Sequence, residues 1–250
     1  RADDICSSHA ANVACIRSYT DGIARSVEVM VSAPWFNEAV KMLNENPGYD
    51  VGVHLMLTSE WETVKWGPLT EAPSLVDEQG HFAPTTGGFA KSRWKIEEVE
   101  KELRAQIELA RAKIKNVTHL SSHMGTPTCT PELRELVNRL SKEYDLPIDT
   151  PGVKRTPRWG PSDMSAAERE QALVKMLENL GAGTYLLVEH PGIDCPEMRS
   201  IGHEGYWNVA AHRDAVTKAF TSDKVKKTVK KRGIKLISYG DLWDDLRKEK

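Results

Sequence analysis

The chain of 250 residues carries 34 basic and 36 acidic side chains, a formal net charge of -2. That near balance leaves no electrostatic footprint for nucleic acid or for an anionic membrane surface, and it suits a small neutral partner better. No apolar run approaches the roughly 20 residues that span a bilayer.

With 40% hydrophobic residues, the chain can bury the core of one α/β domain over residues 1–250. Cys6, Cys15, Cys129 and Cys195 form no C-x-x-C pair and are too sparse for a disulfide framework. Cytoplasmic and exported locations are both compatible with this composition, and self-association is left open.

In chain order, Asp3 and Asp4 are expected at the end of a first strand whose apolar body lies upstream, so the sequence is expected to begin inside that strand. Runs rich in β-branched residues at 27–31 and 51–57 read as buried parallel strands. The stretch 58–92 breaks the pattern with Trp61, Trp66, Gly67-Pro68, Pro73, Pro84 and Gly87-Gly88. Long irregular segments in compact domains are commonly functional, and the aromatics suit a lid in which Trp61 and Trp66 stack on a ligand.

From 91 to 116, Ile96, Val99, Leu103, Ile107, Ala110 and Ile114 recur at steps of three and four, which predicts a helix. A strand follows at 117–123. Thr130-Pro131 then opens a helix as N-cap and first-turn proline, with Leu133, Leu136, Val137 and Leu140 facing inward. Ser165 and Glu168 have capping-box spacing, and Gly181 closes that helix. A strand at 184–189, an irregular excursion at 191–213, a last helix from about 222 to Gly233 and a strand at 234–238 complete the chain. The basic side chains around Lys226 to Arg232 read as a solvated helix face. This alternation predicts a TIM-like, distorted (β/α) barrel, with a doubly wound open sheet as the alternative.

In parallel α/β folds the C-terminal strand ends converge on one face, where sites are built. Asp3, Asp4, His54, His123 and His190 all fall at such positions. His54 alternates away from Val51, Val53, Leu55 and Leu57. His119 and His123 share a strand face but stand about 13 Å apart, so they cannot bind one ion; His123, at the strand edge, is the candidate ligand and His119 is structural. Adjacent carboxylates in extended backbone point to opposite faces unless the strand is ending, which suits a division of labour: one binds an ion, the other reaches water as a base. One carboxylate and two imidazoles with open positions describe a catalytic divalent-metal site. Its nitrogen content favours Zn, Co, Ni or Mn over Mg. His190, before Pro191-Gly192, suits a general acid.

Ala2-Asp3-Asp4 with Ser8 and Asn12, Val51-Gly52-Val53-His54-Leu55, Thr118-His119, Ser122-His123, His190-Pro191-Gly192, and Tyr239-Gly240-Asp241-Leu242 together resemble the YdjC-like carbohydrate deacetylases in order and spacing. The resemblance spans nearly the whole chain. It implies a distorted (β/α) barrel, one divalent ion (Zn, Mg, Ni, Mn or Co) and hydrolysis of the N-acetyl group of a small carbohydrate. By matching positions, Asp4, His54 and His123 would hold the ion, Asp3 would act as base on the water it activates, and His190 would be the acid. The alternatives are a non-catalytic metal- or sugar-binding protein on the same scaffold and a metal-dependent hydrolase of another amide or ester. Two departures stand out. Ile5-Cys6-Ser7 replaces the family's Phe-Gly-Leu, and Ser121 stands where the family often has Asp; because Ser121 shares a face with His123, this predicts loss of a carboxylate that orients that ligand.

Overall fold

The protein is described by a computed structural model over residues 1–248. In chain order its elements are β1 (Ala2–Ile5), α1 (His9–Thr20), β2 (Ser26–Val29), α2 (Phe36–Glu45), β3 (Asp50–Leu55), α3 (Thr86–Lys91), α4 (Ile96–Lys113) and β4 (Val117–Ser122). There follow α5 (Pro131–Glu143), β5 (Lys154–Arg155), α6 (Ala166–Glu178), β6 (Tyr185–Leu186), α7 (Pro196–Arg199), α8 (Val209–Thr221), α9 (Asp223–Lys231) and α10 (Tyr239–Lys248).

Strands β1 to β4 make a four-stranded parallel sheet in sequential order, and β5 pairs in parallel with β6. The two sheets are linked just beyond β6, where Asp3 N donates to Glu189 O at 2.8 Å and Glu189 N to Arg1 O at 3.2 Å. On the opposite edge Leu120 N donates to Pro147 O at 2.9 Å, and the chain then runs on to β5. The parallel sheet therefore curls toward closure, but among the described residues no continuous ladder joins β4 to β5. The α/β class with a parallel sheet expected from the sequence is present, and among the described residues the strands do not close into a complete barrel.

Every residue of β1, β2 and β3 is buried, as in sheets covered on both faces. The helix stripe Val99, Leu103, Ile107 and Ala110 faces this core. Thr130 caps α5 by accepting from Leu133 N, and Ser165 with Glu168 forms the capping box of α6. Helix α6 ends at Asn179, short of Gly181. Among the described residues no helix is long and apolar enough to cross a membrane, and the four cysteines are free.

Four expectations need correction. Residues 234–238 form no strand; Ile234 and Leu236 pack on the core without ladder partners. The 184–189 strand is reduced to two residues of β6 and the bridge at Glu189. Helix α9 is not the last, because α10 follows it, and α8 begins inside the excursion expected at 191–213. A cavity of about 660 Å³ lies under the N-terminal strand ends, bounded by Ser26, Tyr185, Leu187 and Leu236. It contains none of the clustered aspartates and histidines described below.

One glycine governs the middle of the sheet. Gly52 of β3 is in register with Glu28 of β2 and His119 of β4, and both side chains lie over it. A Cβ there would overlap the Glu28 carboxylate and stand 2.5 Å from His119 Nε2. Gly52→Ala is expected to destabilise the fold by about 1–3 kcal/mol, since a methyl group is forced into a packed interior; urea unfolding monitored by circular dichroism checks this.

Candidate functional site

The strand ends deliver their side chains to one place through irregular backbone. Asp4 has φ 67° and Cys6 φ 89°, a left-handed conformation rare in non-glycine residues and concentrated at functional sites. The β1 register shifts there. This break undoes strand alternation, so Asp3 and Asp4 both reach His54: Nε2 lies 3.7 Å from Asp3 Oδ2 and 3.6 Å from Asp4 Oδ1. His123 stands one residue past β4, where Met124 and Gly125 are also left-handed. Its Nδ1 lies 3.3 Å from Asp4 Oδ1.

Asp4, His54 and His123 thus offer an oxygen and two nitrogens within 4.8 Å of one another, all buried. Asp4 Oδ1 is buried and makes no hydrogen bond, whereas Asp4 Oδ2 accepts from Arg213 Nη2 at 2.8 Å. An orphaned carboxylate oxygen facing two imidazole nitrogens fits a divalent ion. Burial opposes ionisation of Asp4, but His190, Arg213 and His123 outweigh it and hold the carboxyl well below its usual range. His54 is lowered to about 4, by burial against the pull of Asp3, so its imidazole is neutral at pH 7 as a ligand must be. His123 behaves oppositely: burial is overcome by Glu60 and Asp4, and its value rises to about 10. The space between Asp4 and Glu60 therefore favours a positive charge.

Asp3 is clamped by Arg1, with Nε on Oδ1 and Nη2 on Oδ2, both at 2.7 Å. Burial would raise its pKa, yet Arg1 and His54 prevail and keep it lowered. His190 sits at the open side, its side chain 41% exposed and its Nε2 3.9 Å from Asp4 Oδ2. The five candidate polar residues are thus brought together.

Trp61 and Trp66 are not. Both are buried, at 2% and 3% exposure, which leaves no ring face for a ligand. Trp66 donates from Nε1 to Thr58 O, while Trp61 stacks on His203 and carries the Arg213 guanidinium 5.1 Å from its ring centre. The segment 58–92 forms a wall anchored in the core through Trp61, Trp66, Leu75, Phe82 and Phe89. Glu102 fixes it by accepting from Leu69 N, Thr70 N and Thr70 Oγ1. Among the described residues the exposed tryptophans are Trp207, 53% exposed and lying against Gly202, and Trp35, 39% exposed.

The expected role of Ser121 also changes. Its Oγ lies 2.7 Å from His54 Nδ1, across the ladder, and not against His123. The partner of His123 is Glu60, whose Oε2 is 3.1 Å from Nε2. Sequence reasoning missed Glu28, Glu60 and Arg213. Glu28, inside an otherwise apolar strand run, carried a usable signal, because a buried carboxylate requires partners. Arg213, on an ordinary amphipathic stretch of α8, carried none.

A curved parallel α/β sheet with an aspartate and two histidines at converging strand ends defines a class of protein. Residues 1–231 match the family described as YdjC-like protein, and the chain belongs to that family. It is 35% identical over 195 residues to a carbohydrate deacetylase of Thermus thermophilus, covering 69% of this chain and 70% of that one. A carbohydrate deacetylase of Vibrio parahaemolyticus is 26% identical over 254 residues, with 96% and 94% covered. The same fold is seen in a crystal structure from Enterococcus faecalis V583, of a protein provisionally assigned to cellobiose-phosphate cleavage: TM-score 0.79, 23% identity and 96% of each chain covered.

Beside the cluster, Tyr206 Oη and His212 Nδ1 are 2.5 Å apart. Burial, with Arg169 and Arg213 adding, lowers His212 from 6.5 to about 4. Between these values the unfolded chain binds the extra proton, so stability rises with pH across that window. It is full above about pH 6.5 and declines on acidification toward 4. The protein is expected to lose more stability between pH 7 and pH 5 than its His212→Gln variant does, as measured by urea unfolding at both pH values.

Proposed function

We propose that the protein hydrolyses the N-acetyl group of a small acetylated sugar or oligosaccharide, using one divalent ion held by Asp4, His54 and His123. The observation that carries this reading is Asp4 Oδ1, buried and without a hydrogen bond between two imidazole nitrogens at 3.3 and 3.6 Å. The names of its relatives supply the substrate class. The oxygen and nitrogen donor set suits Zn, Co, Ni or Mn, with Mg less favoured.

A divalent ion in this position supplies a Lewis acid for the acyl carbonyl and an activated water. The chain supplies the rest. Arg213 holds Asp4 ionised and turned so that Oδ1 faces the imidazoles. Asp3, kept charged by the Arg1 clamp, accepts the water's proton at Oδ2, the oxygen nearer His54 Nε2. His190 Nε2, at the exposed side, delivers a proton to the departing amine. The buried wall formed by Trp61 and Glu60 keeps bulk water from the opposite side.

Chelator-stripped protein is expected to release no acetate from N-acetylglucosamine oligomers until Zn²⁺, Co²⁺, Ni²⁺, Mn²⁺ or Mg²⁺ is restored. In the restored enzyme, Asp3→Asn is expected to lower kcat by about 10²–10⁴, and His123→Ala is expected to weaken ion binding and abolish release together. Protein that binds an ion yet releases no acetate from any N-acetylated sugar would contradict the deacetylase reading and leave the binder on the same scaffold in its place.

A further inference from the structure

Behind His54 lies a chain of polar groups that the hydrolytic reading does not use. Ser121 Oγ is 2.7 Å from His54 Nδ1 and donates its proton to Glu28 Oε2. Glu28 belongs to β2 and Ser121 to β4, so the carboxylate has to cross β3 to make this bond. It crosses over Gly52, the position where any Cβ would collide with it. Its other oxygen, Oε1, is 2.8 Å from His119 Nε2 and 3.8 Å from Arg1 Nε. His119 is itself fixed by Thr118 Oγ1 at 2.9 Å and by stacking on Tyr239 at 3.7 Å between ring centres. Glu28, His119 and Ser121 are each at most 3% exposed.

The proton count along this chain has one solution. An ionised carboxylate only accepts, and a hydroxyl has one proton to give. Ser121 gives that proton to Glu28, so towards His54 its oxygen can only accept. Nδ1 of His54 must then carry the ring proton, and Nε2, which faces Asp4, keeps a free lone pair. We infer that Glu28 is a positioning residue for His54: acting through Ser121 across the Gly52 gap, it fixes the imidazole tautomer that presents Nε2 to a divalent ion.

This inference rests on the proposed ion site at Asp4, His54 and His123. It also accounts for a serine at position 121. The orienting carboxylate is supplied from β2 and relayed by a hydroxyl. Partners of this kind fix ring orientation and raise ligand basicity, and their loss typically weakens metal binding by about 10–100-fold.

The test is Co²⁺ and Zn²⁺ affinity of the purified full chain, by titration and by the visible absorption of bound Co²⁺, with the fold of each variant checked by thermal melting. Glu28→Gln, which keeps the shape and removes the charge, and Ser121→Ala, a smaller change, are each expected to raise the Kd by about 10–100-fold and to alter the Co²⁺ spectrum. Glu28→Ser is expected to do the same. Adding Ser121→Asp to Glu28→Ser places a carboxylate directly on Nδ1 and is expected to recover most of the affinity, which a merely structural role for Glu28 would not produce. Unchanged Kd values in Glu28→Gln and Ser121→Ala would overturn the relay while leaving the ion site standing, as would a double variant binding no tighter than Glu28→Ser. Absence of ion binding in the unaltered protein would instead remove the site and the relay together.

Discussion

Two adjacent carboxylates, Asp3 and Asp4, are buried at 2% and 1% exposure, and much of the surrounding structure answers that condition. A buried charge is tolerated only when it is paired and its lone pairs are matched. Asp3 takes both of its bonds from Arg1. Asp4 takes one from Arg213, brought in from α8 far along the chain. The oxygen that remains, Asp4 Oδ1, faces His54 and His123. The left-handed backbone at Asp4 turns the second carboxylate to the same side as the first. Without that turn, alternation would send one of them into the layer of helices.

Paired polar groups extend outward from this point. Each imidazole is backed by a carboxylate on its far nitrogen, His123 by Glu60 directly and His54 by Glu28 through Ser121. Such an arrangement holds the rings rigidly, because each bond leaves a buried group unsatisfied if its partner turns away. Removing one member of a buried ionic set typically costs about 3–5 kcal/mol, so site and fold are energetically one unit here. The wall of residues 58–92 follows the same logic. It carries Glu60 into the site, and the buried Glu102 of α4 fastens its backbone. Its tryptophans serve as packing, with Trp61 supporting the face of Arg213 that is not bonded to Asp4.

The sheet explains why these groups meet at all. Parallel strands β1, β3 and β4 end on one side, so Asp4, His54 and His123 converge although they are distant in sequence. Glu189, bridged to Ala2, brings the adjacent His190 to the same side. The cavity of about 660 Å³ at the other end of the strands holds no comparable set of groups. Chemistry is placed by topology here, not by the volume of open space.

Alternation, capping and strand-end position are local properties of a chain, and the sequence therefore determined α4, α5 and α6, the strand ends, and Asp3, Asp4, His54, His123 and His190 as one candidate cluster. The match to the YdjC-like family over residues 1–231 agrees with the ordered motifs that carry the resemblance. Only the tertiary structure decided what depends on register and on contacts between remote segments. It turned Ser121 toward His54 instead of His123, passed Glu28 over Gly52, and recruited Arg213 from a helix with no motif. It also buried Trp61 and Trp66 and left 234–238 without a ladder. The physical reason is the same in each case. A side chain's partner across a sheet is fixed by strand register and by which neighbour is small enough to let it pass, and neither is a property of any single stretch of sequence.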